Sequence, residues 1–178
     1  MHAIAYVCLP CSQARSSLQA RKRVSDYLTQ EGLDTLLRFS GRCEYFSVGG
    51  RWSGRLTLLR LRHEQPQVFE RFWKRLRTIE TGEEAEALFH KAFPDFRGKL
   101  PLNREDVEFE GEPDDAQIMD RPLFDQLQAG FGDDVDVDYS YEIDLPNVIC
   151  TEDDEDFKWP KTARQAANFW VVVIDYHH

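Results

Sequence analysis

The run Phe169 to Tyr176, FWVVVIDY, is apolar without interruption until Asp175. A strand of this kind is expected only at the centre of a sheet covered on both faces. It needs flanking strands and packed layers, so it constrains the fold more than any other segment. A second apolar run, His2 to Leu9, reads as a buried strand near the opposite end of the sequence. Val135, Val137, Tyr139, Tyr141, Ile143 and Leu145 alternate with Asp136, Asp138, Ser140, Glu142 and Asp144, which is the period of a half-buried antiparallel strand. Asn147 to Cys150 suggests one more short strand.

Helices are expected between these strands. Ser12 offers an N-cap to a helix carrying Ala14, Leu18, Val24, Tyr27 and Leu28, stopped by Gly32. After Pro66, the residues Val68, Phe69, Phe72, Trp73 and Leu76 share one helical face, opposite Glu70, Arg71, Lys74 and Arg75. Glu83 to Phe93 repeats the pattern before Pro94, and Pro122 to Gln128 suits a short helix. Arg42 to Val48 and Arg51 to Leu61 read as two strands of a hairpin turned by Gly49-Gly50. The stretch Phe96 to Arg121 reads as a surface connection, with a short strand at Val107 to Phe109. The expected fold is α+β, one domain over 1–178. It has a mainly antiparallel sheet with the N- and C-terminal strands near its centre, and helices packed on one face.

Charge is segregated along this chain. The net charge of −10 hides 18 basic against 11 acidic residues in 1–104, a balance of +7, and 4 against 21 in 105–178, a balance of −17. This excludes a generally basic nucleic-acid coat; nucleic acid is an expected partner only through the basic N-terminal half, and a basic protein surface is the expected partner of the acidic half. Residues two apart on a strand lie about 6.5–7 Å from one another, so Asp136, Asp138, Glu142 and Asp144 form a regular line of negative charge comparable with a nucleic-acid backbone. Together with Asp153 and Asp154 they are the candidate partner-binding residues. The same line could instead face the arginines Arg42, Arg51, Arg55, Arg60 and Arg62, or serve only as a solvated strand face that discourages edge pairing. No acidic run follows the calcium-loop pattern. No window approaches a membrane span, no signal-peptide pattern precedes the first strand, and the four cysteines do not form a disulfide framework; a cytoplasmic, reduced setting is expected.

Three further groups could carry chemistry. Cys8-Leu9-Pro10-Cys11 looks like the active-site turn of thioredoxin- and glutaredoxin-like proteins, and Leu145-Pro146-Asn147-Val148 is similar to the cis-proline segment facing it in that family. That resemblance implies thiol-redox use of Cys8 and Cys11, since a helix N-terminus lowers a thiol pKa. The intervening hairpin departs from the family's order. A zinc site from Cys8, Cys11, Cys43 and a histidine lacks the paired spacing such sites use, and no metal or cofactor is expected. Gly49, Gly50, Arg51 and Trp52 could let the backbone approach a phosphate or a nucleotide base, with a guanidinium and an indole beside it; the alternative is a tight turn with Trp52 in the core. Asp175 and His177, two apart on a strand, share a face and could act in acid/base work, or simply mark where the strand leaves the core.

The string Gly49-Gly50-Arg51-Trp52-Ser53-Gly54, with the apolar strand ending Asp175-Tyr176-His177, resembles a family of uncharacterised bacteriophage and bacterial proteins. These carry a G-G-R-W-[ST]-G segment and a C-terminal V-V-D-x-H-like strand. Glu44 stands where that family has an aspartate. The resemblance implies a phage or mobile-element context and transfers no activity.

Overall fold

A computed structural model of the chain describes residues 2–29, 45–50, 53–98, 100, 115–129, 147–150 and 160–177. The architecture is α+β. Its strands are β1 (His2–Pro10), β2 (Tyr45–Val48), β3 (Ala116–Ile118), β4 (Asn147–Cys150) and β5 (Phe169–His177). Its helices are α1 (Ser17–Tyr27), α2 (Arg55–Glu64), α3 (Pro66–Leu76), α4 (Gly82–Ala92), α5 (Arg121–Gln128) and the short α6 (Ala163–Ala166).

β1 and β5 pair antiparallel along their whole length, from His2 opposite His177 to Pro10 opposite Phe169. β4 joins the other edge of β1 as the one parallel pair, Ala5 to Cys8 against Asn147 to Cys150. The far edge of β5 is shared. β2 takes Ile174 to His177 and β3 takes Trp170 to Val172, both antiparallel. The expected central position of the terminal strands is therefore observed, and Val171 to Ile174 have no exposed surface.

Alternation along β1 and β5 divides the core in two. Ile4, Tyr6, Cys8, Val171 and Val173 face the layer of α2, α3, α4 and α5, whereas Ala5, Val7, Leu9, Val172, Ile174 and Tyr176 face α1. The expected one-sided helical layer describes α2 to α5. α1 covers the second face through Ala20 and Val24, which leaves the central strand dry on both sides.

Two sequence expectations change. Arg55 to Leu61, expected as the second hairpin strand, is the first part of α2. Leucine and arginine are good helix formers, Thr57 is the only β-branched residue of the run, and Leu56, Leu59 and Leu61 bury one side of the helix. The N-cap of α1 is Ser16, whose hydroxyl accepts the Gln19 N–H at 3.2 Å, and not Ser12, which lies in a single 3-10 turn after Pro10. The Trp170 indole N–H donates to the Ala14 carbonyl at 3.0 Å and fixes this entry to the helix.

The expected amphipathic helices are present as α3 and α4. Phe69, Phe72 and Trp73 of α3 meet Phe89 and the following Phe93, with Phe69 stacked on Trp73 at 5.4 Å and Phe72 edge-on to both Phe89 and Phe93 at 5.6 Å. Thr81 caps α4 by accepting the Glu84 N–H. Much of the expected surface connection, the Val107 to Phe109 strand and the alternating strand Val135 to Leu145 lie outside the described residues. β3, which sequence reading did not anticipate, arises within that connection.

Candidate functional site

The glycine pair sits where the edge of β5 changes hands. At Val173 the backbone is divided between two neighbours: its carbonyl accepts the Gly49 N–H at 2.8 Å and its N–H donates to the Asp115 carbonyl at 2.9 Å. β2 must leave the sheet here so that β3 can enter. Gly49 and Gly50 make that exit with φ angles of 76° and 52°, a region that penalises a Cβ. Close approach is a second requirement. A Cβ on Gly49 would overlap the Asp115 carboxylate, and one on Gly50 would lie 2.5 Å from both the Asp175 carboxylate and the Ser47 hydroxyl.

Two buried carboxylates thus flank the corner. Asp115 has no exposed surface and Asp175 is 4% exposed. Asp115 accepts the Ser53 hydroxyl at 3.1 Å and the N–H of Gly54, the N-cap of α2, at 3.2 Å. Its charge therefore stands at the positive end of the helix. Arg21 of α1 approaches the same carboxylate at 3.9 Å from the other face of the sheet. Asp175 lies opposite Ser47 on β2 and opposite Ile4 on β1, so its side chain points to the α2 side.

Beneath the corner is Tyr6, the β1 partner of Val173. Burial pushes its phenol up to about 12, against the opposing pull of the Arg55 guanidinium beside it. Arg55, the first residue of α2, is 5% exposed, and burial lowers its pKa while Tyr6 holds it up. Asp115, Asp175, Tyr6 and Arg55 all surround Val173, and together they fasten β2, β3, β1 and the start of α2. A phosphate placed against the Gly49-Gly50 backbone would meet the Asp115 and Asp175 carboxylates.

Of the candidate residues named from sequence, the structure brings Gly49, Gly50 and Asp175 together. Arg51 and Trp52 lie outside the described residues. The backbone of His177 ends β5 between Tyr45 of β2 and His2 of β1. Cys8 is buried on β1 in the main core, and Cys11 lies in the turn after Pro10, where its thiol faces the Ala167 carbonyl at 3.8 Å. Burial raises the Cys11 pKa, and α1 begins only at Ser17, so the turn supplies none of the thiolate stabilisation that a helix start would give. Cys43, Asp136, Asp138, Glu142, Asp144, Asp153 and Asp154 lie outside the described residues. Among those described, no group of three or more His, Cys, Asp or Glu side chains could hold a metal ion, and no helix is long and apolar enough to cross a membrane.

Sequence reading missed Asp115, Ser47, Ser53, Tyr6 and Arg21 as members of this corner. Adjacent glycines announce a close approach or positive φ, yet not what is approached. Asp115 follows a dense acidic stretch and looks solvated in sequence.

No family model, curated protein or solved structure matches this chain.

The described acids of the second half all have partners or neighbours within the fold. Arg60 of α2 donates to the Asp120 carboxylate and the Gln117 side chain, and reaches the Ile118 carbonyl at 3.4 Å. Asp120 also caps α5 by accepting the Leu123 N–H at 3.4 Å. His63 meets Asp125 at 3.2 Å, with Arg121 3.5 Å from the same carboxylate. Arg62 pairs with Glu70 at 3.3 Å. Along α2, Arg55 lies beside Tyr6, and Arg60, Arg62 and His63 each have an acidic neighbour.

Proposed function

We propose that this chain is a non-enzymatic interaction protein of phage or mobile-element type, an inhibitor whose acidic C-terminal half binds a basic surface on a partner protein. One observation supports this most. Two of the arginines that could face the acidic half, Arg60 and Arg62 of α2, already pair with Asp120 and Glu70. Of the 21 acidic residues in 105–178, the four described ones, Asp115, Asp120, Asp125 and Asp175, are consumed at the corner and at the α2–α5 contact. The remaining carboxylates, Asp136, Asp138, Glu142, Asp144, Asp153 and Asp154 among them, lie outside the described residues. A regular line of such charges suits the basic groove of a nucleic-acid-binding enzyme, drawn in by charge complementarity.

The test is capture of bacterial proteins on the immobilised chain, comparing wild type with D136N/D138N/E142Q/D144N. At about 0.1 M salt the wild type retains a basic protein that the variant loses, and duplex DNA competes for it. Retention of the same protein by both overturns the proposal.

A further inference from the structure

We infer that Cys8 and Cys150 are a redox-sensitive pair, closing to a disulfide across β1 and β4 when a peroxide reaches the protein. The pairing is set by backbone register. β1 and β4 run parallel with Ala5 opposite Asn147, and the ladder ends with Cys8 opposite Cys150. Neighbouring strands lie about 4.8 Å apart, and register partners share the same phase of the pleat. That spacing falls inside the range of about 4.4–6.8 Å between Cα atoms that a disulfide accepts. The two cysteines are separated by most of the sequence, and only the sheet makes them neighbours.

The C-x-x-C motif points to a different pair, which the fold keeps apart. β1 stays extended through Pro10, so Cys8 and Cys11 are separated by three residues of extended chain, about 10 Å. Bridging Cα atoms more than about 7 Å apart requires the backbone to move. Cys11 therefore lacks the geometry that Cys150 has, and Cys8 is the member of the motif with a cysteine in register.

Access follows from the place of β4 in the sheet. Cys8 is a thiol with no exposed surface. β4 is four residues long, stands at the end of the strand order and, among the described residues, pairs with β1 alone. A strand held by so short a ladder opens at lower free energy than the central pair β1 and β5, and its opening leaves Cys8 at the edge of the sheet. Hydrogen peroxide is small enough to enter there. The two thiols give up two protons and two electrons, the Sγ–Sγ bond forms, the peroxide O–O bond breaks, and two waters leave. A dithiol reductant reverses the change by exchange and is itself oxidised to a disulfide. With the bond closed, β4 cannot part from β1, so the only described part of 130–159 is fastened to the sheet.

The inference stands on β1 and β4 and uses none of the carboxylates of the proposed function, so either can fail without the other. In the test, the full chain, folded and reduced, is treated with hydrogen peroxide, the remaining thiols are blocked with N-ethylmaleimide, and the chain is digested without reductant for mass spectrometry. The expected main product is an intramolecular Cys8–Cys150 cross-link, lost on treatment with dithiothreitol, with Cys11 left as its maleimide adduct. The oxidised protein has a urea midpoint higher by about 1 M or more, since the bond closes a long loop of chain. C11S keeps both results and C150S loses both. The peptide map is made on wild type, so it decides the matter even if a cysteine variant folds poorly. Any other main product at Cys8 or Cys150, a maleimide adduct or a link to Cys11 included, overturns the inference, and so does a midpoint shift that survives C150S.

Discussion

α2 and α3 are consecutive helices of similar length, both rich in arginine, separated only by Gln65. They use that arginine in opposite ways. α2 lies against β1, β3 and α5, and its cations are spent inside the fold: Arg55 at Tyr6, Arg60 on Asp120 and Gln117. α3 spends its apolar side on the aromatic core and leaves Arg71, Lys74 and Arg75 to solvent. Counting charges in sequence treats the two helices alike. What separates them is where the neighbouring carboxylates fall: Asp120 and Asp125 come up against α2, while α3 faces outward.

The sharpest way to break the contrast is at Arg55. R55A leaves Tyr6 without its neighbour and opens a void in the core, at a cost of about 3–5 kcal/mol, read as a loss of urea midpoint. The Tyr6 partner gives a second reading by pH. Burial holds its phenol up at about 12, above the ordinary tyrosine value of 10.0, so the folded value is the raised one. The associated stability is fully present below pH 10 and is lost as the pH rises towards 12. Y6F should flatten that decline in a pH series of denaturation midpoints, and an unchanged slope would place the alkaline transition elsewhere.

G49A attacks the cap of α2 from the sheet side. A left-handed alanine costs about 1–2 kcal/mol, and the displaced Asp115 carboxylate adds to it, so a total of about 2–4 kcal/mol is expected by chemical denaturation. R60A removes the tie between α2, β3 and α5. Arg60 and Asp120 are both partly exposed, so screening limits the loss to about 1–2 kcal/mol. R71A/K74A/R75A, three exposed positions on α3, should shift the midpoint by no more than about 0.5 kcal/mol each. A larger loss from α3 than from R60A would reverse the contrast between the helices.

The same contrast explains what could be read before the structure. α3 and α4 were legible because their large apolar residues recur at three and four residues with Pro66 and Pro94 as punctuation. β1 and β5 were legible because continuous apolar runs bounded by polar residues have few other uses. α2 was not, since Leu56, Leu58, Leu59 and Leu61 satisfy a half-buried strand nearly as well as a helix, and the glycines before them suggested a hairpin. β3 is three residues long, and its meaning lies in Gln117 and in Asp115 just before it, polar residues that look exposed in sequence. The need for Gly49 and Gly50 was visible. Their neighbours Asp115 and Asp175 were not, because burial of a carboxylate is a property of the assembled corner and leaves no local pattern.

The pairing of β1 with β5 also sets an order of events. The two strands at the centre of the sheet come from opposite ends of the sequence, so the floor on which both helical layers rest is the most non-local contact in the fold. α3 and α4 can meet early through neighbouring aromatics, but Val171 to Ile174 are made only after every other described element. Until they arrive, Tyr6, Leu9 and the underside of α2 have nothing to rest on, and the growing chain must carry that apolar surface in the open.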